Sequence, residues 1–138
     1  MVMLIYADGD ALARPWTEQP EQAAWVAWFG EHEERVVTSP LGLTELRRAT
    51  DALGTKVRSA ARDLADRLQV IRFSDQSLRS AAMASSVVRP FTAIHVGTAV
   101  AHPDVAVVAT YDPVLARMAV IHGLDVVSPG RPDGWWDG

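Results

Sequence analysis

The 138-residue chain contains no cysteine, so neither a disulfide framework nor a thiolate metal site is open to it. Its four histidines are scattered, and no two have the i, i+4 spacing of a zinc-binding helix. A Walker-type phosphate loop, a G-x-G-x-x-G turn and a nucleophile elbow are all missing. No run approaches the ~18 apolar residues of a membrane span. The apolar stretch Met1–Tyr6 is too short for a signal peptide and lacks a basic region before it. A cytoplasmic location is therefore expected. Lysine is nearly missing as well: twelve of the thirteen bases are arginine, which suits bidentate contacts with phosphate or carboxylate.

What is present fits one soluble α/β domain. Hydrophobic residues make up 49% and charged ones 22%, the balance of a globule with a real core. The net charge of −4 is unevenly spread. Residues 1–46 carry eight acids and two bases, 47–89 nine bases and four acids, and 90–138 two bases and five acids. The middle segment is either a basic surface for phosphates or a set of solvated helix faces.

Val2–Ala7 reads as a strand buried on both faces, ending at Asp8-Gly9-Asp10, a tight turn in which Gly9 lets the backbone bend. A helical stretch follows Pro20, and 35–38 is a short strand candidate. Ser39-Pro40 starts a helix that should run to Leu53 and stop at Gly54. Thr55 can cap the next helix, on which Val57, Ala60, Ala61, Leu64 and Leu68 form one apolar stripe. A strand is expected over 70–73, then a short helix capped by Ser74, then a helix from near Pro90. Val105–Thr110 is the second clear buried strand. A helix from Pro113 to Gly123 and a last strand over 124–127 complete the pattern. Strands alternating with helices imply a central parallel sheet flanked by helices in three layers. Residues 1–130 form the expected domain and 131–138 a tail, whose Trp135 and Trp136 either pack back on the domain or sit in an interface.

Parallel sheets bind ligands outside the carboxyl ends of their strands, where strand order reverses. Asp8 and Asp112 stand immediately after the two most apolar strands. If those strands are neighbours, their carboxylates converge, and a hard divalent cation relieves the repulsion. The plainer reading makes Asp112 a helix cap and Asp8 a turn residue. Glu45, with Leu41 and Ala49 one turn away on either side, faces an apolar strip and needs a partner. That partner is a metal or a neighbouring Arg47 or Arg48. His95 reads as a residue packed against the core through its helix. Trp16, Trp25, Trp28 and Phe29 are either core or part of a partner-binding surface.

The order of these signals resembles the PIN domains, most closely the VapC type of toxin ribonuclease. The resemblance rests on Ile5-Tyr6-Ala7-Asp8-Gly9-Asp10-Ala11-Leu12, Thr44-Glu45-Leu46-Arg47-Arg48-Ala49, Ala109-Thr110-Tyr111-Asp112 with Leu115 and Ala119, and the ending Gly123–Gly130. It implies a PIN-like fold and an endoribonuclease using Mg²⁺ or Mn²⁺, held inactive by a cognate antitoxin and expected to be a homodimer. Asp8, Glu45 and Asp112 would be the catalytic, metal-binding acids, with Thr110 in support. An apolar groove beside the early helices would receive the antitoxin. Two positions depart from the family. Thr92, in Phe91-Thr92-Ala93-Ile94-His95, stands where an acid is expected, and Asp10 stands where Ser or Thr is usual. Asp10 is thus a candidate further ligand or base, and Thr92 a neutral one. Two other readings compete. One is a PIN-like module weakened by Thr92 that binds antitoxin or RNA without efficient cleavage. The other is a phospho-acceptor receiver domain, which fits poorly: the 70–73 strand leads into Ser74-Asp75, and Lys56 is the only lysine.

Overall fold

The structure, a computed structural model, describes residues 3–138; Met1 and Val2, which the sequence reading placed in and before the first strand, lie outside the described residues. Five parallel strands form one sheet: β1 (Leu4–Ala7), β2 (Val36–Thr38), β3 (Gln69–Val70), β4 (Val105–Ala109) and β5 (Asp125–Val127), in the order β3-β2-β1-β4-β5. The seven α-helices among the described residues are α1 (Gly9–Leu12), α2 (Gln22–His32), α3 (Pro40–Thr50), α4 (Thr55–Arg67), α5 (Asp75–Ala84), α6 (Pro90–Ala101) and α7 (Pro113–Ile121).

β1 shows why the apolar runs are continuous rather than alternating. Its side chains point to opposite faces in turn. Ile5 and Ala7 join one core layer with Trp25, Phe29, Leu46 and Leu64, while Leu4 and Tyr6 join the other with Val96, Val108 and Leu115. Both faces are covered, so both registers must be apolar. Strand order reverses at β1: β2 and β3 extend the sheet on one side, β4 and β5 on the other.

Local signals act mostly as expected. Ser39 accepts a hydrogen bond from Gly42 N and caps α3, with Pro40 in the first turn. Ser74 and Ser77 form a reciprocal capping box at the start of α5. α3 gives way to a 3-10 turn over Asp51–Leu53, and Gly54 ends it at φ +97°, a left-handed value that favours glycine.

Three local expectations differ from the structure. Thr55 makes no capping bond, because Gly54 occupies the cap position. The strand expected over 70–73 shrinks to Gln69–Val70, an edge strand paired only with β2. Gly9 is not at a tight turn but is the first residue of α1, with no positive φ. Its missing side chain matters for another reason: a Cβ there would collide with Glu45 Cβ and with the backbone of Gly42 and Leu46. Gly9 therefore lets α1 lie against α3. Gly97 does the same for α6 against Ser77 and Ala81 of α5.

Trp135 and Trp136 form a short 3-10 turn and stack edge to face with centroids 6.1 Å apart. Arg117 of α7 donates to Trp136 O at 2.7 Å and Arg131 lies over Trp135 at 4.4 Å, so the tail packs back on the domain.

Candidate active site

β1 and β4 are neighbours, with Ala7 paired to Ala109, so Asp8 and the 110–112 segment leave the sheet side by side at its carboxyl edge. Asp8 is buried and caps α1, its Oδ1 accepting from Ala11 N at 2.9 Å. Its Oδ2 accepts from Thr110 Oγ1 at 2.6 Å. The same Thr110 oxygen accepts from Asp112 N at 3.0 Å. One buried hydroxyl thus ties the two strand-end acids into one unit. Asp112 caps α7, its Oδ1 accepting from Val114 N at 2.8 Å and Leu115 N at 3.4 Å.

Glu45 reaches the same edge from α3. Its Oε1 accepts from Gly9 N at 3.0 Å, the residue next to Asp8, and from His95 Nε2 at 2.8 Å. It forms no ion pair with Arg47 or Arg48 among the described residues. His95 is buried, and its Nδ1 lies 2.7 Å from Tyr6 OH, which lies 2.8 Å from Ser39 Oγ. The sequence reading of His95 as a core residue captured its burial but missed its bond to Glu45. Two signals pointed to this group. Tyr6 lies near the carboxyl end of β1, two residues before Asp8, and a buried histidine needs partners for both ring nitrogens.

Asp10 and Thr92 stand apart from this network. The Asp10 carboxylate binds Arg14 at 2.8 Å and is 66% exposed. Thr92 is half-buried in the first turn of α6, three residues before His95 and so on its face of the helix. Its hydroxyl makes no hydrogen bond with the described residues.

The environment sorts the carboxyls. Burial pushes Asp8 up to about 6, against the opposing pull of His95 and of the Thr110 and Ala11 hydrogen bonds. Burial also acts to raise Glu45, but the His95 and Gly9 bonds outweigh it and hold that carboxyl below its ordinary value. No group of three or more His, Cys, Asp or Glu among the described residues is arranged to hold a metal ion. The donors nonetheless suit a hard cation in kind: they are carboxylate oxygens, and Glu45 Oε2 and Asp112 Oδ2 take no hydrogen bond from the described residues. The chemistry fits, while the three acids are not drawn together into a finished cage.

Among the described residues, no base of 47–89 forms an ion pair with Asp8, Glu45 or Asp112. All nine bases of that segment are exposed. Arg67 pairs with Glu33 at 2.9 Å, and Arg47, Arg58 and Arg62 line a cleft of about 300 Å³ between α3 and α4 with Leu46 and Ala61. None of the three acids lines that cleft. Of the early aromatics, Trp25 and Phe29 are core, stacked 5.7 Å apart, while Trp16 and Trp28 are only partly buried.

No family model matches the sequence, and no curated protein matches it. Solved structures do. A chain of FitAcB from Neisseria gonorrhoeae superposes with a TM-score of 0.71 at 19% identity, covering 94% of this chain and 100% of that one. FitAB bound to an IR36 DNA fragment gives a TM-score of 0.71 at 19% identity, with coverages of 96% and 99%. VapBC2 from Rickettsia felis, bound to a DNA fragment from their promoter, gives 0.65 at 14% identity, with coverages of 91% and 98%. At these identities the likeness shows the fold, and it is the PIN-like three-layer α/β fold expected from the sequence.

Proposed function

We propose that the chain is a metal-dependent endoribonuclease, the toxin of a toxin–antitoxin pair of the VapC type, which hydrolyses RNA phosphodiester bonds in the cytoplasm. The observation that carries this is the linkage of Asp8, Thr110 and Asp112 across the β1–β4 switch point, with Glu45 bonded to the neighbouring Gly9. The fold shared with FitAcB and VapBC2 supports it. No helix among the described residues is long and apolar enough to cross a membrane.

Asp8, Glu45 and Asp112 would hold Mg²⁺ or Mn²⁺. When bound, such a cation supplies charge neutralisation at the phosphate and a more acidic water. The chain's own residues do the rest. Thr110 orients Asp8, the α7 N-terminus fixes one oxygen of Asp112, and His95 with Gly9 N fixes one oxygen of Glu45, leaving the other oxygens of Asp112 and Glu45 available. The exposed arginines of 47–89 supply positive charge for an RNA backbone. An antitoxin would cover the partly buried Trp16 and Trp28. A second copy would cover the exposed Leu78, Met83, Val87 and Phe91 of the α5–α6 hairpin; light scattering of the purified chain checks that arm.

The competing reading, a weakened module that binds without cutting, is favoured by Thr92 and by the absence of a preassembled three-ligand group. Purified protein incubated with RNA and Mn²⁺, with and without chelator, separates the two. Cleavage that disappears with chelator and in Asp112→Asn supports the nuclease. RNA or antitoxin binding without cleavage at any Mn²⁺ concentration supports the module.

A further inference from the structure

A chain of three buried side chains, Ser39, Tyr6 and His95, ends on Glu45. Glu45 Oε1 can only accept, so His95 Nε2 carries a proton. The other ring nitrogen, Nδ1, is bonded to the Tyr6 hydroxyl at 2.7 Å, and that hydroxyl to Ser39 Oγ at 2.8 Å. Ser39 Oγ also accepts from Gly42 N at 3.2 Å. Ser39, Tyr6, His95 and Glu45 thus form one continuous hydrogen-bonded chain. Tyr6 is fully buried, and burial keeps its phenol protonated far above the ordinary range.

Mutual satisfaction in a core would explain such a chain if it ended there. It does not. Its last member is 32% exposed at the carboxyl edge of the sheet, and the second donor to that same oxygen is Gly9 N, beside Asp8. Donors from α1 and α6 thus meet on one carboxylate oxygen of α3, with β1 and the start of α3 behind the α6 donor.

We propose that Tyr6 and His95 are positioning residues for the acid cluster: Tyr6 holds the His95 ring through Nδ1, and His95 Nε2–H pins Glu45 Oε1 and leaves Oε2 free for a divalent cation. This rests on the nuclease reading above. Partners that fix the tautomer and orientation of a ligand typically change metal affinity by about 10–100-fold when removed.

The test uses the full chain and Mn²⁺ alone, with affinity read by calorimetry and the His95 ring read by ¹⁵N–¹H NMR without metal. The parent should show a proton on Nε2 held in the bond to Glu45. Tyr6→Phe, which deletes one oxygen and keeps the shape, should broaden or lose that Nε2–H signal and bind Mn²⁺ about tenfold more weakly. His95→Gln, which retains an amide donor and acceptor, should bind closer to the parent than His95→Leu does. An Nδ1–H tautomer in the parent overturns the proposal, independent of metal and of whether His95→Leu folds. Mn²⁺ binding that is lost in Glu45→Gln but unchanged in Tyr6→Phe overturns it while the nuclease reading stands. No Mn²⁺ binding by the parent overturns both.

Discussion

Asp8 and Glu21 are buried almost equally, 5% and 6% exposed, and they lie on either side of the same short segment, yet their charges are treated in opposite ways. Glu21 sits between Arg131 at 2.9 Å and Arg14 at 3.5 Å. Burial acts to raise it, but Arg131 and Arg14 outweigh burial and hold it below its ordinary value. Arg14 also lies 3.9 Å over the Tyr111 ring and pairs with Asp10 at 2.8 Å, so in this cluster two arginines offset two acids. Asp8 has hydroxyl and amide donors but no bonded guanidinium, and burial pushes it up to about 6. A fold able to neutralise one buried acid with arginines has left the other without them. The difference separates a structural clamp from a site with charge still to be matched.

The largest expected effect tests the clamp. Removing one partner of a buried ion pair costs about 3–5 kcal/mol, because the other charge is left uncompensated. Arg131 stays with Glu21, so Arg14→Met should cost about 3 kcal/mol in urea unfolding, the low end of that range. A cost below about 1 kcal/mol would mean that Glu21 is not held by charge, and the contrast with Asp8 would collapse.

The next effect has the opposite sign. The folded-state pKa of Asp8 is raised from 3.8 to about 6, so the folded protein binds more protons than the unfolded chain between those values. Stability attributable to this group is greatest below pH 3.8 and falls as pH rises to about 6. Asparagine keeps the helix cap and removes the buried charge. Asp8→Asn should therefore stabilise the metal-free protein by up to about 3 kcal/mol near pH 7.5, with the gain fading toward pH 4, while metal-dependent cleavage is lost. Thermal melts across that pH range check it; destabilisation at pH 7.5 would show that Asp8 is as well matched as Glu21.

The smallest effect on stability concerns Asp10, whose exposed pair with Arg14 is worth at most about 1 kcal/mol. Its importance is chemical. If Asp10 replaces the acid missing at Thr92, Asp10→Ser should weaken Mn²⁺ binding and cleavage together, and adding Thr92→Asp should restore both. Unchanged cleavage in Asp10→Ser would assign Asp10 to the Arg14 clamp alone. Cleavage switched on from nothing by Thr92→Asp would favour the binding module.

Much of this was legible because it is written locally. Uninterrupted apolar runs marked β1 and β4, Asp8 and Asp112 closed them, and Ser39-Pro40 and Ser74 announced helix starts. What escaped depended on contacts between distant residues. β3 has a partner on one side only, and no local pattern shows that. Gly9 looked like a turn residue because the closeness of α3 lies 36 positions away in the chain. The bond from His95 to Glu45 spans 50 positions, so a histidine read within its own helix could be identified as buried but not as bonded. Trp25 and Trp28 lie in one helix turn, yet one is core and the other half-exposed, which follows from the position of Tyr111, 6.1 Å from Trp25.

The hydrogen bond from Thr110 to Asp8 joins residues 102 apart, and this sets a schedule for biosynthesis. β1 and α3 leave the ribosome first, carrying two of the three acids, but neither Thr110 nor Asp112 exists until β4 has been made. At ordinary translation speeds of about 5–20 residues per second, Glu45 precedes Asp112 by roughly 3–13 s. Throughout that interval the nascent chain has no completed acid cluster. A product truncated before β4 lacks the strand that pairs with β1 on that side of the sheet as well as the last acid. The acid cluster, split between β1 and the turn after β4, thus forms only once β4 has been made, which leaves a co-translationally binding partner several seconds to arrive first.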